Sequence, residues 1–108
     1  MIKINVLGTE YQLIESTAEN DPILDSYDGY CDDSVKKCVI KKIKPVLDVK
    51  ADPEAIKKRI IRHELTHAFL SESGLCCDSD WATNEEMVDW IARQFPKMLK
   101  AFKEAKAL

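Results

Sequence analysis

The stretch from Asp52 to Gly74 constrains the fold most, because residues that start and stop a helix bound it on both sides. Asp52 is a good N-cap, Pro53 takes the first helical position, where a backbone N–H is not needed, and Glu54 suits the positive end of the helix dipole. Gly74, followed by Leu75, is a good stop. Between these bounds Ile56, Ile60, His63, His67 and Leu70 recur at helical spacing and form one stripe. Lys57, Lys58, Arg59 and Arg62 lie largely off it and read as the solvated face.

Upstream, Ile2, Ile4 and Val6 alternate at period two, Gly8-Thr9 supplies a Gly-first turn, and Tyr11 to Ile14 continues as a strand, which predicts a β-hairpin. Residues 16–33 turn acidic and polar and read as a solvated loop with at most a short strand around Tyr27 to Cys31. The carboxylates there do not follow the twelve-residue calcium-loop spacing. Val35 to Ile43 is rich in β-branched residues, and its lysines suit an exposed edge strand. A second helix is predicted from Thr83, with Thr83 to Glu86 as a capping box and Val88, Ile91, Ala92 and Phe95 as the buried stripe. Pro96 predicts a kink, or a fresh helix from Pro96 to Lys106. The expected class is therefore α+β: a hairpin plus an edge strand, the long helix, and a C-terminal helix or kinked helix pair.

With 108 residues, 45% of them hydrophobic, the chain has room for one core, and a single domain over residues 1–108 is expected. A net charge of -3 argues against nucleic acid as a partner. The start, MIKINVLGTEYQLIES, lacks the basic, apolar and small-residue regions of an export signal, and no apolar run is long enough to span a bilayer. A cytoplasmic protein without membrane attachment is expected, and its oligomeric state is not encoded in any pattern seen here. In a reducing compartment Cys31, Cys38, Cys76 and Cys77 are expected to stay thiols, and their spacing fits no zinc ribbon. A Cys31–Cys38 disulfide is open if the two face each other across strands.

The chemistry concentrates in His63-Glu64-Leu65-Thr66-His67. Residues four apart on a helix stack on one face, so His63 and His67 can present two imidazoles to one tetrahedral zinc. Glu64 then sits beside the metal without binding it, placed to take a proton from metal-activated water and pass it to a leaving amine. These are the only two histidines in the chain. The pattern arises by accident in roughly one chain of this size in several hundred, so a further acid at ligand spacing is the discriminating feature. Glu85 supplies it, eighteen residues after His67, on the stripe of Val88, Asp89 and Ala92. Glu86, already assigned to the capping box, is the weaker ligand. Asp89 is placed to accept the second ring N–H of a ligand histidine, or else is an exposed helix residue.

HELTH followed by NEEMVD resembles the gluzincin arrangement, in which HExxH is completed by a Glu within an N-E-x-x-x-D stretch of a later helix; Asn84, Glu85 and Asp89 carry the match. Among small intracellular proteins the chain looks closest to the ImmA/IrrE-like and phage-associated zinc peptidases, over roughly residues 36–95. Met87-Val88-Asp89 stands where that group often has Glu-Ala-Asn. The resemblance implies a mixed sheet packed on the HExxH helix, with an edge strand above the metal that can pair with an extended peptide; Val35 to Ile43 is the candidate. Larger gluzincins use a further His or Tyr to steady the oxyanion. Here Tyr27 and Tyr30 are the candidates.

Two functions follow as expectations. One is a zinc-dependent endopeptidase acting on a protein or peptide substrate, by family analogy a cellular or phage regulator, with one zinc held by His63, His67 and Glu85 and with Glu64 as base and then acid. The other is a catalytically weak or inactive module in which the same zinc stabilises a small domain that binds a protein partner.

Overall fold

A computed structural model describes residues 1–43 and 52–108. Strands β1 (Ile2–Val6) and β2 (Thr9–Ser16) form the expected hairpin, with Val6 opposite Thr9. The two-residue turn is Leu7-Gly8, not Gly8-Thr9: φ is 51° at Leu7 and 93° at Gly8, the pair of positive values that matches strand twist in a tight hairpin. Asn5 supports the turn by accepting a bond from the Gly8 N–H.

After the hairpin, Asp21 caps a short 3-10 turn from Pro22 to Asp25 that buries Leu24. Strands β3 (Gly29–Asp32) and β4 (Lys37–Lys41) follow. The sheet order is β1-β2-β4-β3, with β2 parallel to β4 and the other neighbours antiparallel. The strand expected at the edge over 35–43 is therefore interior, and β3 is the edge on that side. The reason lies in Cys38, Val39 and Ile40, three successive buried residues. An apolar run of this kind marks a strand covered on both faces, whereas the flanking lysines suggest an edge.

Helix α1 (Pro53–Glu72) begins and ends where its signals place it. Asp52 accepts bonds from the N–H groups of Glu54 and Ala55, and Gly74 takes a φ of 81° beyond the C-cap Ser73. Ile60 and Ala68 join Val6, Tyr11, Leu13, Cys38 and Ile40 in the main core. A smaller core of Leu70, Ala82 and Val88 seats the next helices. Helix α2 (Leu75–Asp78) and a 3-10 turn from Asp80 to Thr83 lead into α3 (Glu85–Glu104).

Helix α3 departs from expectation at three points. Its N-cap is Asn84, whose side chain accepts the Met87 N–H at 2.8 Å, while the Thr83 hydroxyl bonds the Asp80 carbonyl. With the cap one residue later, the capping-box position falls on Met87 and Glu86 has no such role. The helix also runs through Pro96 without a break. Proline deprives the Ala92 carbonyl of its i+4 donor, and Arg62 of α1 supplies one from Nε at 2.6 Å, so Arg62 is not part of a purely solvated face. Finally, Val88 and Ala92 are buried and Ile91 is half-buried, but Phe95 is 48% exposed because the stripe outruns the core. Among the described residues no helix is long and apolar enough to cross a membrane.

Candidate metal centre

One helical turn separates His63 from His67, and their ring centroids stand 5.0 Å apart with the planes 67° off parallel. Glu85, in the first turn of α3, places its carboxylate between them. One oxygen lies 2.8 Å from His63 Nε2 and the other 2.9 Å from His67 Nε2. The ligand atoms of the three residues all fall within 4.8 Å of one another. Tetrahedral zinc with bonds of about 2.0–2.2 Å holds its donors about 3.3 Å apart, which lies between these limits. His63, His67 and Glu85 thus form a cluster that can hold a metal ion. The histidine side chains are 17% and 20% exposed and Glu85 is 70% exposed, so the centre lies open to solvent on the Glu85 side.

The second ring nitrogen of His63 gives an independent test of fit. His63 Nδ1 lies 3.3 Å from Asp89 Oδ1, while Arg93 Nε holds the other Asp89 oxygen at 2.6 Å. Arg93 is the main reason the Asp89 carboxyl titrates below its ordinary range, with His63 adding to it. A neutral imidazole has one N–H and faces two carboxylates here, so it can donate to only one. Two arrangements satisfy both carboxylates: a doubly protonated ring, or a cation between Nε2 and Glu85 that leaves the Nδ1 proton for Asp89. Burial also pushes His67 toward the neutral, metal-ligating form, although Glu85 opposes that shift.

Glu64 is turned toward β3 and is only 7% exposed. Burial pushes its carboxyl up to about 7; the neighbouring His63 pulls it down and Glu85 raises it further. A carboxyl poised there can both accept and release a proton near neutral pH. Gly29 makes the close approach possible, since a Cβ at that position would stand 3.0 Å from the Val39 carbonyl oxygen, 3.1 Å from Ile60 and 3.3 Å from Glu64.

His63, Glu64, His67 and Glu85 line an open cleft of about 920 Å³ whose wall includes β3 from Gly29 to Asp32. Tyr27 lines it as well and is 63% exposed. Tyr30 also borders the cleft, but its hydroxyl is donated to Asp21 at 2.5 Å. Burial and that bond push its phenol up to about 12. Two contributors escape a reading of the sequence. Arg93 was legible only through its i+4 spacing from Asp89. Gly29 was legible only as a glycine inside a short strand, a mark of close backbone approach.

Comparisons with family models, with curated proteins and with solved structures find no match for this chain. Fold and site together define a mixed α+β domain with a His-His-Glu cluster able to hold a metal ion, and the functional reading rests on that geometry.

Proposed function

We propose that this protein is a zinc-dependent metallopeptidase of the HExxH type, gluzincin-like in its third ligand. The observation carrying the reading is the convergence of His63, His67 and Glu85 beside a buried Glu64. Zinc, when bound, supplies a Lewis acid that polarises a scissile carbonyl and acidifies water. Glu64 takes a proton on its carboxylate from the attacking water and delivers it to the leaving amine nitrogen. Asp89, held by Arg93, fixes the His63 ring by accepting a hydrogen bond from its Nδ1–H.

Among the described residues β3 is an edge strand, and its outer side offers backbone groups along the cleft, where an extended peptide can add as a further strand. This moves the substrate-pairing role from residues 35–43 to Gly29–Asp32. Tyr27 is the better placed of the two tyrosines to donate to a developing oxyanion, because the Tyr30 hydroxyl already serves Asp21.

The test is cleavage of a diverse peptide mixture by zinc-loaded protein, read by mass spectrometry, beside Glu64→Gln. The expected result is cleavage that the variant loses while retaining its zinc. Equal behaviour of the two proteins, both holding zinc and neither cleaving, would favour the zinc-stabilised binding module.

A further inference from the structure

Cys31 on β3 and Cys38 on β4 are direct partners in the antiparallel ladder. The Lys41 N–H bonds the Asp28 carbonyl at 2.9 Å, which makes the Asp28–Lys41 position a hydrogen-bonded pair. Antiparallel pairs alternate, so Cys31 and Cys38, three positions along, form a non-hydrogen-bonded pair. In such a pair the Cα atoms stand about 4.5 Å apart and the side chains are closest, within the span of about 4.4–6.8 Å that a disulfide bridges.

Their surroundings differ in a way that assigns them roles. Cys31 is half-buried and lines the cleft, open to a small reagent. Cys38 is fully buried, its thiol donating to the Glu64 carbonyl at 3.6 Å. The other candidate pair, Cys76 and Cys77, has its sulfurs 3.9 Å apart, but a bridge between adjacent residues strains the peptide that joins them.

We propose that Cys31 and Cys38 form a reversible intramolecular disulfide in the wall of the cleft, by exchange with a small-molecule disulfide of the glutathione class. The Cys31 thiolate attacks one sulfur of oxidised glutathione, forming a mixed disulfide and releasing one glutathione thiolate, which takes up the Cys31 proton. Cys38 then attacks the Cys31 sulfur, the second glutathione leaves, and the Cys38 proton goes with it. The balance is one protein dithiol and one oxidised glutathione to one protein disulfide and two reduced glutathiones. The product ties the edge strand β3 covalently to β4 opposite Glu64, which opposes fraying of the cleft wall. The inference does not depend on the metal-centre reading.

The experiment equilibrates the full chain, as a Cys76→Ser/Cys77→Ser variant, across a series of reduced-to-oxidised glutathione ratios, then quenches with acid, alkylates the remaining thiols and maps peptides by mass spectrometry. The expected result is simultaneous loss of both remaining thiols, an intact mass lower by about 2 Da before alkylation, and a linked peptide joining Cys31 to Cys38. Adding Cys31→Ser should abolish the linkage. In the unsubstituted chain, digestion should find the same link. A stable glutathione adduct on Cys31 without a link, a Cys31–Cys76 link in the unsubstituted chain, or free thiols at the most oxidising ratio would overturn the proposal.

Discussion

Asp89 faces His63 Nδ1 at 3.3 Å from one helix turn beyond Glu85, so a single stretch of α3 supplies both a carboxylate at the imidazole Nε2 and another behind the same ring. An acceptor behind a ligand imidazole fixes its tautomer and orientation, and removing such a partner typically weakens metal affinity about 10–100-fold. Asp89→Ala is accordingly expected to lower zinc affinity within that range, measured by competition with a chelator of known affinity, with the far-ultraviolet circular dichroism unchanged. Unaltered affinity would leave Asp89 as a helix-surface residue paired with Arg93.

The bond from Arg62 to the Ala92 carbonyl joins the two long helices and accounts for an unbroken helix through Pro96. Arg62→Ala should destabilise the fold by about 1.5–3 kcal/mol, the usual range for a hydrogen bond to a charged donor. In a Pro96→Ala background the helix supplies its own donor to Ala92, and the cost of Arg62→Ala should shrink. A double-mutant cycle by urea unfolding should give a coupling of about 0.5–3 kcal/mol. Additive effects would refute the compensation.

Glu72 gathers three donors at the end of α1: the Thr9 hydroxyl at 2.9 Å, the Tyr11 hydroxyl at 2.8 Å and Lys36 Nζ at 2.6 Å. Lys36 first, then Tyr11 and Thr9, hold its carboxyl down at about 2 against an ordinary value of 4.5. A carboxyl depressed by folding binds fewer protons in the native than in the unfolded state. Its contribution is therefore complete above about pH 4.5 and is lost as pH falls through about 2. Thermal unfolding followed from pH 5 to pH 2 should show a shallower fall for Glu72→Gln than for the native chain, with the two curves converging at the acid end. Parallel curves would mean that the knot contributes no pH dependence.

What could be read from the sequence was local. The Asp52-Pro53 start and Gly74 stop of α1 are decided by backbone groups within a few residues, and the fold follows them. Glu85 was legible because it shares a helical stripe with Val88, a buried residue that orients α3. The misplacements required partners distant in the chain. Pro96 looks like a helix breaker until Arg62 is brought beneath it, and no pattern near residue 96 announces that donor. The assignment of β4 as an edge failed because lysines at a strand's ends say less than three apolar residues in succession about what covers its faces. Phe95 keeps the periodicity of the buried stripe, but periodicity does not reveal where a neighbouring core ends.

The central claim is that His63, His67 and Glu85 hold zinc, and the most direct measurement is the zinc content of tag-free protein purified without chelator, beside Glu85→Ala. The account predicts about one zinc per native chain and clearly less in the variant. A native chain that is folded, free of zinc and unable to take it up would contradict the account, leaving the three side chains as a hydrogen-bonded cluster between two helices.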